Sequence, residues 1–156
     1  MVLRRIGAVF ISIVLLLSSL SITSIFALAE DSNSSDYTTS NEGHLGAYIG
    51  AETAVTLPQE VNGIKMFYID RTFYNCTTVV SVVVPEGYTG MSDNAFMGAT
   101  SLKSVSLPET IETLGSSCFR NCTSLVTINI PKKITSIPRY TFRGCTNPDL
   151  VIDIQS

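Results

Sequence analysis

Phenylalanine recurs at positions 73, 96, 119 and 142, each 23 residues after the last, and the chain between them nearly repeats itself. "FMGATSLKSVSLP" from Phe96 is followed by "FRNCTSLVTINIP" from Phe119. A period of this length belongs to stacked repeat units; helices and strands repeat every few residues. Within each unit the sixth, ninth and eleventh residues after Phe are aliphatic: Val79, Val82 and Val84; Leu102, Val105 and Leu107; Leu125, Ile128 and Ile130. Proline comes next, at Pro85, Pro108 and Pro131.

The apolar-x-apolar end of each unit alternates with period two, which predicts a short strand with one face buried. Proline ends the strand, because it lacks the N–H that a continuing ladder needs. Further apolar positions follow at Tyr88 and Met91, Ile111 and Leu114, Ile134 and Ile137, and a small residue (Ala95, Cys118 or Thr141) precedes the next Phe. A single coil of this kind has no second layer to hide its apolar side. Stacked coils supply one, setting Phe on Phe and aliphatic on aliphatic about 4.8 Å apart as neighbours in a parallel sheet.

An imperfect earlier coil is legible in Val55, Leu57 and Pro58. From Pro58 to Phe73 is 15 residues, against 11 in later coils, and the extra four surround Asn62-Gly63, so this coil is expected to bulge as an N-terminal cap. At the other end "FRGCTNPDLVIDIQS" breaks register at Pro148 and reads as a partial terminal coil. The expected organisation is a solenoid over 44–156: a degenerate cap coil 44–72, coils 73–95, 96–118 and 119–141, and a partial coil 142–156.

Ahead of the solenoid, Arg4 and Arg5 precede an apolar run from Ile6 to Leu17, and Ala27-Leu28-Ala29 offers a small-x-small cleavage pattern. Residues 1–29 are therefore expected to be a signal peptide cut after Ala29, with a retained signal anchor as the alternative. Residues 30–43 hold one aromatic, no aliphatic side chain and many small polar ones, the composition of a flexible leader. Cleavage removes two of ten basic residues and none of thirteen acidic ones, leaving 8 − 13 = −5. That charge argues against nucleic acid as a partner. No second apolar stretch is long enough to span a membrane.

With "NCTSLVTINIP" and "IPKKITSIPRYTF" on the page, the chain resembles the BspA-type leucine-rich repeat family over about residues 45–156. The resemblance implies an α/β-type leucine-rich repeat solenoid of 23-residue repeats: mostly short parallel strands, with an irregular or 3-10 convex side. It implies secreted or surface proteins of bacteria and some protists, linked to adhesion, and it carries no catalytic residues. Ala99 departs from the pattern, standing where the other units have cysteine.

Cys76, Cys122 and Cys145 each fall three residues after Phe, and Cys118 directly precedes Phe119. Equivalent repeat positions make a one-sided ladder, whereas a metal needs ligands converging from several directions, so no metal and no cofactor are expected. A Cys122–Cys145 disulfide suits an exported protein. In-register neighbours, however, hold their Cβ atoms about 4.8 Å apart, beyond the usual disulfide separation, which favours buried free thiols. His44 is the only histidine, so a nucleophile-base pair has little to assemble from and no enzyme activity is expected. Glu109 and Glu112 read as solvated turn carboxylates, with Lys132 at the position next door to Glu109.

Two readings of function remain. In the first, the chain is a noncatalytic module holding an extracellular protein or glycan. Strand alternation places the candidate binding residues on the open sheet face, at Ser81, Val83, Ser104, Ser106, Thr127 and Asn129. In the second, it is a structural spacer or self-associating subunit of a surface assembly.

Overall fold

A computed structural model describes residues 34–39 and 42–155. A 3-10 turn at Ser34–Asp36 precedes eleven short strands: β1 Tyr37–Thr39, β2 His44–Tyr48, β3 Ala54–Thr56, β4 Glu60–Val61, β5 Ile64–Lys65, β6 Tyr68–Ile69, β7 Ser81–Val83, β8 Gly90–Met91, β9 Ser104–Ser106, β10 Thr127–Ile130 and β11 Val151–Ile154. No α-helix occurs among the described residues. The chain winds as a β-solenoid of about five turns.

One side of the solenoid is a parallel five-stranded sheet in the order β11-β10-β9-β7-β3. Its register carries the repeat directly, pairing Val55 with Val82, Val82 with Val105, Val105 with Ile128, and Ile128 with Ile152. A second side is the sheet β1-β2-β6-β8, extended by a bridge from Gly90 to Thr113. The third side is made of turns, the irregular alternative of the expected convex side. There the N–H of each Phe donates to the next coil, Phe73 to Ala95 O at 2.9 Å, Phe96 to Cys118 O at 2.8 Å and Phe119 to Thr141 O at 3.0 Å. Successive coils are thus hydrogen-bonded along the first and third sides, and along the second side as far as the Gly90–Thr113 bridge.

Inside, the aliphatic triples expected from the repeat are all buried. The phenylalanine rings form a column, with centroids 4.9, 5.0 and 5.6 Å apart from Phe73 through Phe96 and Phe119 to Phe142. The bulge of the cap coil is the antiparallel hairpin β4-β5, closed by Asn62 and Gly63, both at positive φ. A two-residue Asn-Gly turn suits this because both positions need left-handed backbone. The hairpin opens space that Val61, Met66 and the large Tyr88 fill, and the Tyr88 hydroxyl donates to Pro58 O at 2.7 Å. Later coils lack the hairpin and need only isoleucine at the Tyr88 position, Ile111 and Ile134.

Two left-handed positions per coil turn the third side. They lie two residues before Phe, at Arg71, Asn94, Ser117 and Tyr140, and two after it, at Asn75, Gly98, Asn121 and Gly144. The second row alternates asparagine with glycine. A Cβ at Gly98 would collide with the Asn75 side-chain oxygen, and one at Gly144 with that of Asn121. Both residue types tolerate positive φ, and in the pairs Asn75–Gly98 and Asn121–Gly144 only the first has room for a side chain.

The signal peptide expected over residues 1–29 lies outside the described residues. Within the leader expected over 30–43, the described residues 34–39 form the 3-10 turn and β1. β1 pairs antiparallel with β2, and Tyr37 is buried with its ring 5.3 Å from Tyr48. Thr38 Oγ1 also accepts the Ala47 N–H at 2.8 Å. One buried aromatic and a ladder of backbone bonds hold a segment whose other residues are small and polar.

Candidate binding face

The outward residues of the five-stranded sheet form two columns. One runs Ala54, Ser81, Ser104, Thr127, Val151, and the other Thr56, Val83, Ser106, then Asn129 and Asp153. All six candidate residues therefore lie on one face, as strand alternation requires. Val83, Ser106 and Thr127 are exposed, while Ser81, Ser104 and Asn129 are half-buried. Five strands at the usual spacing make a strip about 19 Å wide, and Asp153 at its end is the one charged group in the two columns.

Asn129 does something that alternation cannot reveal. Its amide nitrogen donates to Leu107 O at 2.7 Å and its side-chain oxygen accepts the Leu107 N–H at 2.8 Å. The amide thus replaces ladder bonds beyond Ser106, where β9 stops while β10 continues to Ile130. With both its polar atoms engaged, Asn129 is a clamp between coils. The available hint was that a primary amide stands where the coils before it carry Val83 and Ser106.

Elsewhere, concave surface lies at the corners of the coils. One open groove of about 530 Å³ is lined by Tyr68, Asp70, Arg71, Ser92 and Asp93. Another of about 590 Å³ runs past Glu60, Phe67 and Glu86. The His44 ring packs 4.9 Å from Tyr68 and 5.6 Å from Phe67, within an aromatic cluster. The ion pair joins Glu112 to Lys133 at 2.9 Å, one residue past Lys132 and three past Glu109, which stand at equivalent positions. Among the described residues, no three His, Cys, Asp or Glu side chains come together as a metal site would require.

All four cysteines are free thiols. Cys118 and Cys122 are buried, but Cys76 and Cys145 are only partly so, which corrects the expectation of uniformly buried thiols. The Cys122 and Cys145 thiols donate to the carbonyls of Phe96 and Phe119, each at 3.1 Å, one coil back. Burial pushes Cys118 up to about 12. Hydrogen bonding with the neighbouring Cys145 thiol, together with burial, holds Cys122 far above the usual thiol range, and hydrogen bonding with Cys122 lowers Cys145.

The family model of the BspA type leucine rich repeat region matches residues 53–153 in six copies. The chain belongs to the BspA-type leucine-rich repeat family. This BspA-type chain is similar in fold to a leucine-rich repeat protein of T. pallidum, with 21% identity and a TM-score of 0.57 over 79% of this chain and 71% of that one. It is also similar to a leucine-rich cell surface protein of Faecalibacterium prausnitzii, with 23% identity and a TM-score of 0.58. That alignment covers 88% of this chain and 43% of the other, so the BspA-type chain spans less than half its neighbour's length. No match is found among curated proteins. No helix among the described residues is long and apolar enough to cross a membrane.

Proposed function

We propose that this chain is a secreted, noncatalytic binding module that holds an extracellular protein or glycan at a cell surface. The observation that carries the reading is the outward face of the five-stranded sheet: flat, nearly uncharged and covered by no other described element. Small hydroxyl groups at Ser81, Ser104, Ser106 and Thr127, with Val83 between them, suit a flat partner. Such a partner would be met through hydrogen bonds and modest apolar area rather than gripped as a charged small molecule. Membership of a surface-protein repeat family and the cell-surface neighbour support the location. The strip is small beside a standard protein interface, so binding by one module is expected to be weak.

The test is capture of extracellular-matrix proteins and of immobilised glycans by the chain and by a Ser104→Arg/Thr127→Arg double variant. Loss of capture at an unchanged thermal midpoint assigns the site to the sheet face. Undiminished capture moves it to the turns or to the N-terminal residues. Secretion is checked separately by N-terminal sequencing of the extracellular chain, which should begin at Glu30.

A further inference from the structure

The terminal coil exposes what every earlier coil hides. Ile152 and Ile154 continue the rows of Ile128 and Ile130, and those two are each 1% exposed. Ile152 is 36% exposed and Ile154 68%, with Val151 beside them at 59%. On the neighbouring side of the solenoid Ile137, which continues the row of Met91 and Leu114, is 44% exposed. Meanwhile β11 bonds β10 along one edge and, among the described residues, leaves the other unpaired. An apolar end plate with an open strand edge is a template for another chain.

Charge and shape indicate which surface fits it. Residues 132–155 carry Lys132, Lys133, Arg139 and Arg143 against Asp149 and Asp153, so 4 − 2 = +2. Residues 34–72, through the cap coil at the opposite end, carry Asp36, Glu42, Glu52, Glu60 and Asp70 against Lys65 and Arg71, so 2 − 5 = −3. The two ends are also stepped in opposite senses. At the N-terminal end the second sheet runs on through β2 and β1 beyond the coil that holds β3. At the C-terminal end it is the first sheet that runs on, as β11. Tail against tail would oppose Arg139 and Arg143 to their own copies and set overhang on overhang. Head to tail opposes unlike charges, sets overhang into recess and keeps the strands of the first sheet, from β11 of one copy to β3 of the next, running the same way.

We infer that copies of this chain associate head to tail, the terminal coil of one copy seating on the acidic N-terminal end of the next. The contact is heterologous, so nothing in it limits assembly to two copies. This holds whether or not the sheet face binds a ligand.

Sedimentation velocity of the purified full chain over a wide concentration range tests the idea. The expected result is a mass that climbs past the dimer and falls back in high salt, because the ends attract through charge. Ile152→Lys/Ile154→Lys blocks the tail and Glu52→Lys/Glu60→Lys blocks the head. Each variant alone should associate at least tenfold more weakly. Their equimolar mixture should form dimers and nothing larger, since each partner retains one working end. All these side chains are exposed, and a thermal midpoint matching the parent separates loss of contact from loss of fold. Should the tail variant fail to fold, Arg139→Glu/Arg143→Glu reads the same end. A parent chain that stays monomeric overturns the inference. So does a head variant that still dimerises, which would mean tail-to-tail pairing. Equal association of every variant also overturns it, because it assigns the contact to a region they share, such as the apolar residues 6–17.

Discussion

The two ends of the solenoid are finished differently, although both derive from the same coil. At the N-terminal end the chain reverses: β1 runs antiparallel to β2, and Tyr37 covers Tyr48, which stands 5.5 Å from Phe73. Leu45, in the outermost parallel strand there, is fully buried. At the C-terminal end β11 keeps the common direction, and its four residues are all exposed. Ile128 and Ile152 are the same residue at the same repeat position, yet one is core and the other surface. A repeat position is therefore not intrinsically buried. It becomes core only when a coil lies on both sides, and a stable end requires the chain to leave the repeat, as Tyr37 and β1 do.

The largest test of this contrast lies at the centre. Phe119 stacks between Phe96 and Phe142, and Phe119→Ala should cost about 3–5 kcal/mol in chemical denaturation. A thermal midpoint unchanged by it would contradict a stacked interior. The sharpest test is the matched pair. Ile130→Ala should cost about 2–5 kcal/mol, whereas Ile154→Ala at the paired position, measured at concentrations where the chain is monomeric, should stay within about 0.5 kcal/mol. Equal costs would erase the distinction between covered and open ends. Tyr37→Ala should cost about 1.5–3 kcal/mol, the value of burying such a side chain, and hydrogen exchange should quicken first in β2. A silent Tyr37→Ala would make the N-terminal end as open as the other.

The smallest effect concerns the thiols. In native protein, alkylation should reach Cys76 and Cys145 early, and Cys118 and Cys122 only on unfolding. A Cys122–Cys145 bridge found by nonreducing mass spectrometry would contradict this. Folding also leaves a pH signature. The Cys118 thiol ordinarily ionises near 9.0 but in the fold only near 12, so above pH 9 the folded chain holds a proton that the unfolded one releases. Stability should therefore be unaffected by this group below pH 9 and fall as pH rises from 9 towards 12. Cys118→Ala should remove part of that slope in denaturation curves measured across the window.

Much of the fold is legible in the sequence because it is periodic or local. The 23-residue spacing of Phe predicts the ring column, the aliphatic triples predict the inward rows, and Asn62-Gly63 marks the hairpin. What escapes depends on contacts made across the chain. Tyr37 sits in a run whose polar composition reads as flexible, and its order comes from Tyr48, eleven residues on. Alternation sends Asn129 to the open face correctly. It cannot say that the amide then reaches sideways to Leu107 instead of outward. Cys145 shares its repeat position with buried Cys122 but lies in the last coil, where the column is covered on one side only.

The alternation of asparagine and glycine two residues after Phe sets a rule for how such an array can lengthen by gene duplication. Copying one coil would place an asparagine against an asparagine, forcing an amide to turn aside, or would leave two glycines facing an empty site. Copying two coils together, 2 × 23 = 46 residues, keeps every asparagine opposite a glycine. The inheritable unit of this protein is then the pair, twice as long as the period that its phenylalanines announce.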